Sequence, residues 1–303
     1  MQNFEFILCH GSANRFVMID TIAQPFEVDN LSQFIQKIAL RSGSDGVLLL
    51  TKWGEKDMAM RMFNTDGSEA EMCGNGMRCI ARLADERYLH AERFTLYSGG
   101  RAYEISREKM LADGVPTYGV KIAVATASPE FTLEREQFIG ESIEELDPQL
   151  KFTYLNLGNP HIVAMVDEID LEHLSLMGER VKELKHIFTR GVNVSTIQKL
   201  GEQQIFVATY ERGVGLTASC GTAMTASSTA TTLLGLCQRD KDIEVRNRGG
   251  FVRCRCHKEG EDLYTWLIGN ATYELLGEIT PDGEIVVKHR LDREIGAWDT
   301  LVK

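Results

Sequence analysis

Apolar stretches that run into polar turns mark the clearest strands of this chain. Residues 46–52 form a β-rich apolar run, and residues 58–63 alternate before the turn Asn64-Thr65-Asp66-Gly67. Residues 205–210 repeat this alternation before Glu211-Arg212-Gly213. The pattern therefore predicts strands at these positions, each second strand ending at a polar turn.

A helix is predicted soon after each of the two turns. Residues 77–88 and 223–236 have helical character, and Asn75-Gly76 and Gly221-Thr222 are suitable helix starts. The second segment is rich in Thr and Ser, whose helix propensity is mediocre, so we expect packing to stabilise it. Strands combined with helices in this way predict a fold of the α/β or α+β class.

The two halves of the chain resemble each other at an offset of 147 residues, the separation of Cys73 and Cys220. Five blocks align without a gap: Leu8-Cys9-His10-Gly11 with Leu155-Asn156-Leu157-Gly158, Met18-Ile19-Asp20 with Met165-Val166-Asp167, Gly46-Val47 with Asn193-Val194, Phe63-Asn64 with Tyr210-Glu211, and Cys73-Gly74-Asn75 with Cys220-Gly221-Thr222. Such a repeat predicts two similar halves related by a pseudo-two-fold axis. The axis would bring the two Cys-Gly turns together across a cleft, where ligand sites are common.

Composition narrows the range of partners. The chain has 303 residues, 43% of them hydrophobic, and a net charge of -11 spread along its length. This acidic balance argues against nucleic acid or an anionic membrane as a partner. No apolar run approaches a membrane span, and the first residues lack the features of a signal peptide, so we expect a cytoplasmic protein. A homodimer is compatible with the sequence.

The seven cysteines form an odd set, which does not indicate a disulfide framework in a cytoplasmic chain of this size. Cys254 and Cys256, followed by His257, lack the spacing and the second ligand pair of a structural zinc site. We therefore expect these two cysteines to pack in the core and expect no metal site.

Cys73 and Cys220 differ from the other cysteines because each is followed by Gly at a predicted helix start. Free N–H groups and the helix dipole at such a position can lower a thiol pKa and can bind a substrate carboxylate. Racemisation needs a base on one face of a carbon and an acid on the other. Without a cofactor, fixed dipoles must stabilise the carbanion. Two such thiols therefore suit a cofactor-independent racemase, whereas either one alone could be an ordinary buried cysteine.

Other polar residues have alternative interpretations on pattern alone. Asn14, Asn64, Asn159 and Asn193 lie in turn-like segments and are either turn residues or ligands of a substrate. His161 is either a core histidine or a site residue, and Glu211-Arg212 is either a surface pair or part of a site.

Two long motifs resemble the cysteine signatures of diaminopimelate epimerases. The first is Asn64-Thr65-Asp66-Gly67-Ser68-Glu69-Ala70-Glu71-Met72-Cys73-Gly74-Asn75-Gly76-Met77-Arg78-Cys79, and the second is Tyr210-Glu211-Arg212-Gly213-Val214-Gly215-Leu216-Thr217-Ala218-Ser219-Cys220-Gly221-Thr222. The remaining family blocks are similar to His10-Gly11-Ser12-Ala13-Asn14, Gly43-Ser44-Asp45-Gly46, Gly158-Asn159-Pro160-His161 and Gly191-Val192-Asn193-Val194, in family order.

The resemblance implies a fold and domain boundaries. Each half would wrap its strands around a central helix. A last strand at about residues 266–279 would return to the first half. The first domain would then comprise residues 1–120 with about 268–303, and the second residues 121–267. Residues 281–303 form an additional tail for which the sequence predicts no role.

The resemblance also implies an activity and a set of site residues. Epimerisation of LL-diaminopimelate to the meso form would need no cofactor, and Cys73 and Cys220 would be the two bases, with His161 and Glu211 near them. The backbone of Gly74, Asn75, Gly221 and Thr222 would hold the reacting carboxylate. The distal amino acid group would be held by Asn14, Asn64, Asn159, Asn193, Glu211 and Arg212.

Two departures from the family pattern leave alternatives for the substrate. Ala13-Asn14-Arg15-Phe16 replaces the usual Gly-Asn-Asp-Phe, which we expect to add a charge near the pocket, and Ala223 replaces a Gly. A racemase of another amino acid, such as histidine, is the second hypothesis. The third is a non-catalytic amino-acid-binding protein or an isomerase of the phenazine-biosynthesis type, and the two cysteines count against it.

Overall fold

A computed structural model describes residues 3–133 and 137–302. The chain divides into two compact units, Met1–Val120 with Ile268–Lys303, and Lys121–Leu267. Both units combine long, mostly antiparallel strands with a few helices. The predicted mixed α/β fold class is thereby confirmed.

The described residues of the first unit form three α-helices and ten strands. Its elements are β1 (Phe4–Gly11), β2 (Asn14–Asp20), α1 (Leu31–Ser42), β3 (Gly46–Trp53), β4 (Asp57–Asn64), β5 (Glu69–Ala70), α2 (Gly74–Ala84), a π-helical turn (Asp85–Leu89), β6 (Arg93–Ser98), β7 (Arg101–Glu108), β8 (Thr117–Ala123), which ends in the second unit, and, after the chain returns, β18 (Thr272–Ile279), β19 (Ile285–Arg290) and α5 (Asp292–Val302).

The second unit is built from two α-helices and nine strands within the described residues. Its elements are β9 (Glu141–Ile143), β10 (Asp147–Asn156), β11 (Pro160–Val166), α3 (Leu171–Glu183), β12 (Asn193–Gly201), β13 (Gln204–Glu211), β14 (Gly215–Thr217), α4 (Gly221–Leu233), β15 (Ile243–Asn247), β16 (Gly250–Glu259) and β17 (Asp262–Asn270), whose last residues belong to the first unit.

The two units share one order of elements and one pairing scheme. In the first unit β1 pairs antiparallel with β2, β2 parallel with β3, and β3 antiparallel with β4. In the second unit β10, β11, β12 and β13 pair in the same three senses. The strands β3 and β12 begin at Gly46 and Asn193, and the helices α2 and α4 begin at Gly74 and Gly221. The repeat read from the sequence therefore corresponds to two similar folds.

Each unit surrounds one helix almost completely. Every residue of α2 is buried, although the helix contains two arginines. In α4 the buried face is rich in hydroxyls, and these bond back into the helix: Thr225 Oγ1 donates to Gly221 O at 2.8 Å, and Thr229 Oγ1 to Thr225 O at 2.8 Å. A buried hydroxyl costs little when it is hydrogen-bonded in this way. Packing therefore stabilises a helix that its intrinsic propensity does not favour.

Several predicted bounds were wrong by a few residues. The helix α2 begins at Gly74, because the N-cap is Cys73, and its predicted last residues form the π-helical turn. The helix α4 ends at Leu233, before Gly235, whose φ of 72° lies in the left-handed region. The predicted strand at 266–279 is two strands, β17 and β18, with a break at Ala271, and β18 pairs with β1.

The C-terminal tail belongs to the first unit. Its strand β19 pairs antiparallel with β18, and Trp298 of α5 is buried, 5.5 Å from the ring of His10. Glu294 receives two hydrogen bonds from Arg82 of α2, at 2.6 and 2.9 Å, and one from the backbone N–H of Tyr273. Arg82 also lies 3.6 Å from the Tyr273 ring centroid. The tail thus contacts the central helix directly.

Replacing Glu294 by Ala is therefore predicted to destabilise the fold. The change leaves the guanidinium of Arg82, whose side chain is only 8% exposed, without this carboxylate. Because Glu294 keeps some contact with solvent, we expect a loss of about 2–3 kcal/mol, below the range for fully buried pairs. Urea unfolding measures it, with Asp292→Ala at the exposed start of the same helix as control. Equal stability of the two variants would contradict the structural role given to the tail.

Candidate functional site

Cys73 is the N-cap of α2, and the first turn of that helix is built around its thiol. The residue has extended backbone angles, and its Sγ accepts the Gly76 N–H at 3.5 Å. Gly76 is required by packing, since a Cβ there would lie 2.8 Å from Leu48 Cδ2. The thiol is half-buried, whereas Gly74 and Asn75 behind it are buried. The helix N-terminus thus presents a thiol together with N–H groups that favour an anion.

Asn14 joins this site from the start of β2. Its Oδ1 accepts from Cys73 Sγ at 3.9 Å and from Asn75 Nδ2 at 3.4 Å, and its Nδ2 donates to Asp45 Oδ2 at 2.9 Å. Ser12 and Ala13, just before it, have φ values of 52° and 60°, a tight turn in the left-handed region. Where the family pattern has Gly, this chain therefore has Ala13 in a conformation that favours Gly.

Arg78 is a residue of α2 whose side chain contacts the first turn of the same helix. The sequence alone did not assign it a role. It is fully buried, and its Nη2 donates to Ser12 Oγ and Asn75 Oδ1, both at 3.0 Å. Gly11 and Gly269 leave room for the guanidinium, since a Cβ at either position would lie within 3.0 Å of it. The signal in the sequence was an arginine within the first cysteine motif, and only the structure shows that its helix has no exposed face.

Opposing influences act on the pKa of the Cys73 thiol. Burial raises the pKa above its ordinary value, whereas the N–H groups of Gly76 and Asn75 and the positive charge of Arg78 lower it. The net effect is a raised pKa, so the lowered pKa that the helix start led us to expect is not found. The helix N-terminus thus offsets part of the cost of burying the thiolate.

Cys220 is the N-cap of α4 and has a different charge beside it. Its Sγ lies 3.4 Å from Thr222 Oγ1, and it has extended backbone angles like those of Cys73. Burial and, next, the carboxylate of Glu211 raise the pKa of this thiol to about 12. Burial also raises the pKa of Glu211. Cys220 thus has an acidic group beside it, whereas Cys73 has a cation.

His161 is held by a short chain of hydrogen bonds that begins on α4. Asn159 Nδ2 donates to Thr222 Oγ1 at 3.3 Å, and its Oδ1 lies 3.1 Å from His161 Nε2. Because Asn159 presents its oxygen, Nε2 carries the proton and Nδ1 is the acceptor of a neutral ring. Burial, with a smaller contribution from Arg212, lowers the pKa of His161 to about 3. Among the described residues Nδ1 has no hydrogen-bond partner, although it is buried.

Asn193 and Arg212 complete the group in the second unit. Asn193 pairs with His161 across β11 and β12, and its Oδ1 accepts the Arg212 N–H at 2.9 Å. The Arg212 side chain is exposed, and its Nη1 donates to Arg190 O at 2.6 Å. Asn64, by contrast, bonds within its own turn, where its Nδ2 donates to Ser68 Oγ at 3.0 Å.

The residues predicted from the sequence thus gather into two groups, one in each unit. The group of the first unit comprises Cys73, Gly74, Asn75 and Asn14. The group of the second unit comprises Cys220, Gly221, Thr222, Asn159, His161, Asn193, Glu211 and Arg212. The two departures from the family pattern are accommodated: Arg15 donates to both carboxylate oxygens of Glu274, at 2.9 and 2.7 Å, and Ala223 is fully buried in the first turn of α4.

A cluster of metal ligands and a helix able to cross a membrane are both absent from the described part of the chain. No group of three or more His, Cys, Asp or Glu residues there is arranged to hold a metal ion. None of the helices in residues 3–133 and 137–302 combines the length and the apolar character that crossing a membrane requires. Cys254 and Cys256 are buried. The absence of a metal remains a prediction.

Comparison with known families gives a consistent match. The family model described as diaminopimelate epimerase matches residues 6–111 and 153–274. A diaminopimelate epimerase of Clostridium acetobutylicum is 36% identical, covering 94% of this chain and 88% of the relative. That of Ligilactobacillus salivarius is 39% identical, covering 88% of this chain and 87% of the relative.

Solved structures with low sequence identity share the fold. A phenazine biosynthesis protein of the PhzF family from Bacillus anthracis has a TM-score of 0.66 at 17% identity, covering 92% of this chain and 100% of that one. A probable proline racemase from Agrobacterium radiobacter has a TM-score of 0.61 at 13% identity, covering 99% of both chains. At these identities the likeness concerns the fold alone.

The negative charge of Glu211 is predicted to slow the alkylation of the Cys220 thiol. Glu211→Gln removes a negative charge that opposes the thiolate, so the pKa of Cys220 should fall. Alkylation of Cys220 by iodoacetamide at pH 8 should then become faster, by about threefold or more, because only the thiolate reacts. Peptide mass spectrometry follows each cysteine separately, and Cys73 in the same sample is the control. An unchanged rate at Cys220 would show that Glu211 does not control this thiol.

Proposed function

This chain belongs to the diaminopimelate epimerase family, and we propose that it interconverts LL- and meso-diaminopimelate by inverting one α-carbon. The observation that carries the proposal is the pair of cysteines at the N-caps of two equivalent, buried helices. The relatives named above favour this substrate over the alternative of a racemase for another amino acid. Free cysteines also fit a reducing compartment, so we place the enzyme in the cytoplasm.

The proposed chemistry uses the two thiols on opposite faces of the reacting carbon. One thiolate removes the α-proton from one face, and the other thiol donates its proton to the opposite face. In the reverse direction the roles exchange. Inversion requires such an acid and base pair, since a single group would return the proton to the face from which it came.

The charges beside the two thiols favour different protonation states. Arg78 and the helix N–H groups favour the thiolate of Cys73, whereas Glu211 favours the protonated form of Cys220. In the proposal Cys73 is therefore the thiol that gives up its proton more readily, although burial raises the pKa of both thiols. We propose that Glu211, whose pKa is raised by burial, exchanges a proton with Cys220.

The carbanion needs stabilisation that neither thiol supplies. We propose that the reacting carboxylate binds the N–H groups at the starts of α2 and α4, where Gly74, Asn75, Gly221 and Thr222 are small enough to permit close approach. Helix N-termini favour negative charge, and fixed donors stabilise charge that develops in a transition state. This arrangement accounts for a reaction without a cofactor.

The remaining polar groups are proposed to select and orient the substrate. The guanidinium of Arg212 suits the distal carboxylate because it can bind both oxygens at once. Asn14, Asn64, Asn159 and Asn193 are proposed to bind the distal amino acid group, together with Glu211. The buried Nδ1 of His161 supports a role as acceptor for a donor group of the bound substrate.

The activity is tested by incubating the protein with a panel of amino acids in deuterium oxide and following α-proton exchange by NMR. Exchange and inversion of diaminopimelate are expected, well above those of any other amino acid in the panel. Equal exchange of histidine, or no exchange of diaminopimelate, would contradict the proposed substrate.

Serine variants test the separate roles of the thiols. Cys73→Ser and Cys220→Ser should each lose epimerisation almost entirely, because a hydroxyl is a much weaker acid. Elimination of fluoride from a β-fluoro analogue needs only one base, so each variant should retain it with one stereoisomer and lose it with the other. Cys237→Ser is the matched control and should retain both reactions. If both variants process both isomers alike, the opposed two-thiol mechanism is wrong.

A further inference from the structure

Asp45 connects the turn before β3 to the start of β2. Its Oδ2 accepts two hydrogen bonds, from Asn14 Nδ2 at 2.9 Å and from the Arg15 backbone N–H at 2.8 Å. Its own N–H donates to Arg15 O at 2.8 Å. The carboxylate is therefore held in place by the backbone of the residue next to Asn14.

This contact determines which way the Asn14 amide faces. A carboxylate only accepts hydrogen bonds, so the amide nitrogen of Asn14 must face Asp45. The carbonyl oxygen is then directed to the other side, where it accepts from Cys73 Sγ and Asn75 Nδ2. Asn75 favours the same orientation, because its own oxygen accepts from Arg78 and its Nδ2 is therefore a donor. Without an acceptor at position 45, the Asn14 amide would lose the partner that holds its nitrogen.

The neighbouring cation does not compete for Asp45. The guanidinium of Arg15 donates through Nε and Nη2 to the two oxygens of Glu274. Asp45 is thereby left to accept from the side chain of Asn14. The Arg15 departure from the family pattern is thus compatible with an ordered Asn14.

We infer that Asp45 is a positioning residue, which acts through Asn14 by directing the amide oxygen of Asn14 towards the thiol of Cys73 and the bound substrate. The inference rests on the proposed function, in which Asn14 binds a donor group of the amino acid. An inverted amide would direct its N–H groups at that donor and lose the hydrogen bond. Asp45 itself touches neither the substrate nor the reacting carbon.

Kinetics should separate this role from a general structural one. Asp45→Ala is expected to raise KM for diaminopimelate about tenfold, the effect of one lost hydrogen bond to a charged group, and to change kcat much less. Asp45→Asn keeps an acceptor oxygen and should restore most of the affinity. Asp57→Ala, an exposed aspartate at the start of β4, is the control. A wild-type KM in Asp45→Ala, or a Asp45→Asn variant as impaired as Asp45→Ala, would overturn the inference.

A double-mutant cycle tests whether Asp45 acts through Asn14. In an Asn14→Ala background, Asp45→Ala should change KM less than about twofold, because the group that it orients is gone. If the two effects multiply instead, Asp45 acts independently and the inference fails.

A measurement without substrate separates this inference from the proposed function. Asn14→Ala and Asp45→Ala both remove the fixed acceptor of the Cys73 S–H, so both should speed alkylation of Cys73 by iodoacetamide at pH 8, by about threefold. Asp57→Ala should match the wild type. A wild-type rate in Asp45→Ala would overturn the inference even if the enzyme epimerises diaminopimelate. A wild type that fails to epimerise any amino acid would refute the proposed function, and the alkylation rates would still decide on Asp45.

Discussion

The first turns of two buried helices are the constraint on which the structure depends. A helix start leaves backbone N–H groups without partners inside the helix, and burying them is costly unless something accepts their hydrogen bonds. In α2 the Sγ of Cys73 accepts one of them, from Gly76. The strands of each unit surround its helix, with the cation of Arg78 buried in α2 and several hydroxyls buried in α4. In both units the cysteine at the helix start remains half-buried. In α2 the residue that caps a buried helix end is thus also the thiol that the proposed function uses.

Much of the fold could be predicted because its signals are local or repeated. The alternation in residues 58–63 and 205–210 and the 147-residue offset identified strands β4 and β13 and the equivalence of the two halves. The start of α4 at Gly221 was predicted, whereas that of α2 was placed at Asn75-Gly76 instead of Gly74. Cysteine is not among the usual N-cap residues, so Cys73 gave no signal of a helix start. The break at Ala271 and the contacts of the tail were not predicted either, for a different reason. Both depend on contacts between residues distant in sequence, such as Glu294 with Arg82, that no periodicity reveals.

The candidate site was predictable to the extent that its residues lie in long motifs. Within each unit the structure brings most of the predicted residues together, as it does for Cys220, Thr222 and Asn159. Arg78 and Asp45 were missed, although both stand within the quoted motifs, because their importance lies in what they hold rather than in their own chemistry. A fully buried arginine and a carboxylate that orients an amide are visible only once the hydrogen bonds are known. The opposite charges beside the two thiols likewise emerged from the structure alone.

The central claim, that two thiols act on opposite faces of one carbon, is tested most directly by isotope distribution in the first turnovers. LL-diaminopimelate is incubated with the enzyme in deuterium oxide, and the product and the recovered substrate are separated before the reverse reaction contributes. With two bases, the product acquires deuterium from the second thiol, while substrate that is reprotonated by the first thiol regains its own proton. The account predicts fully deuterated meso product and unlabelled LL substrate. Product that retains the original proton, or deuterium that appears equally in both isomers, would contradict it.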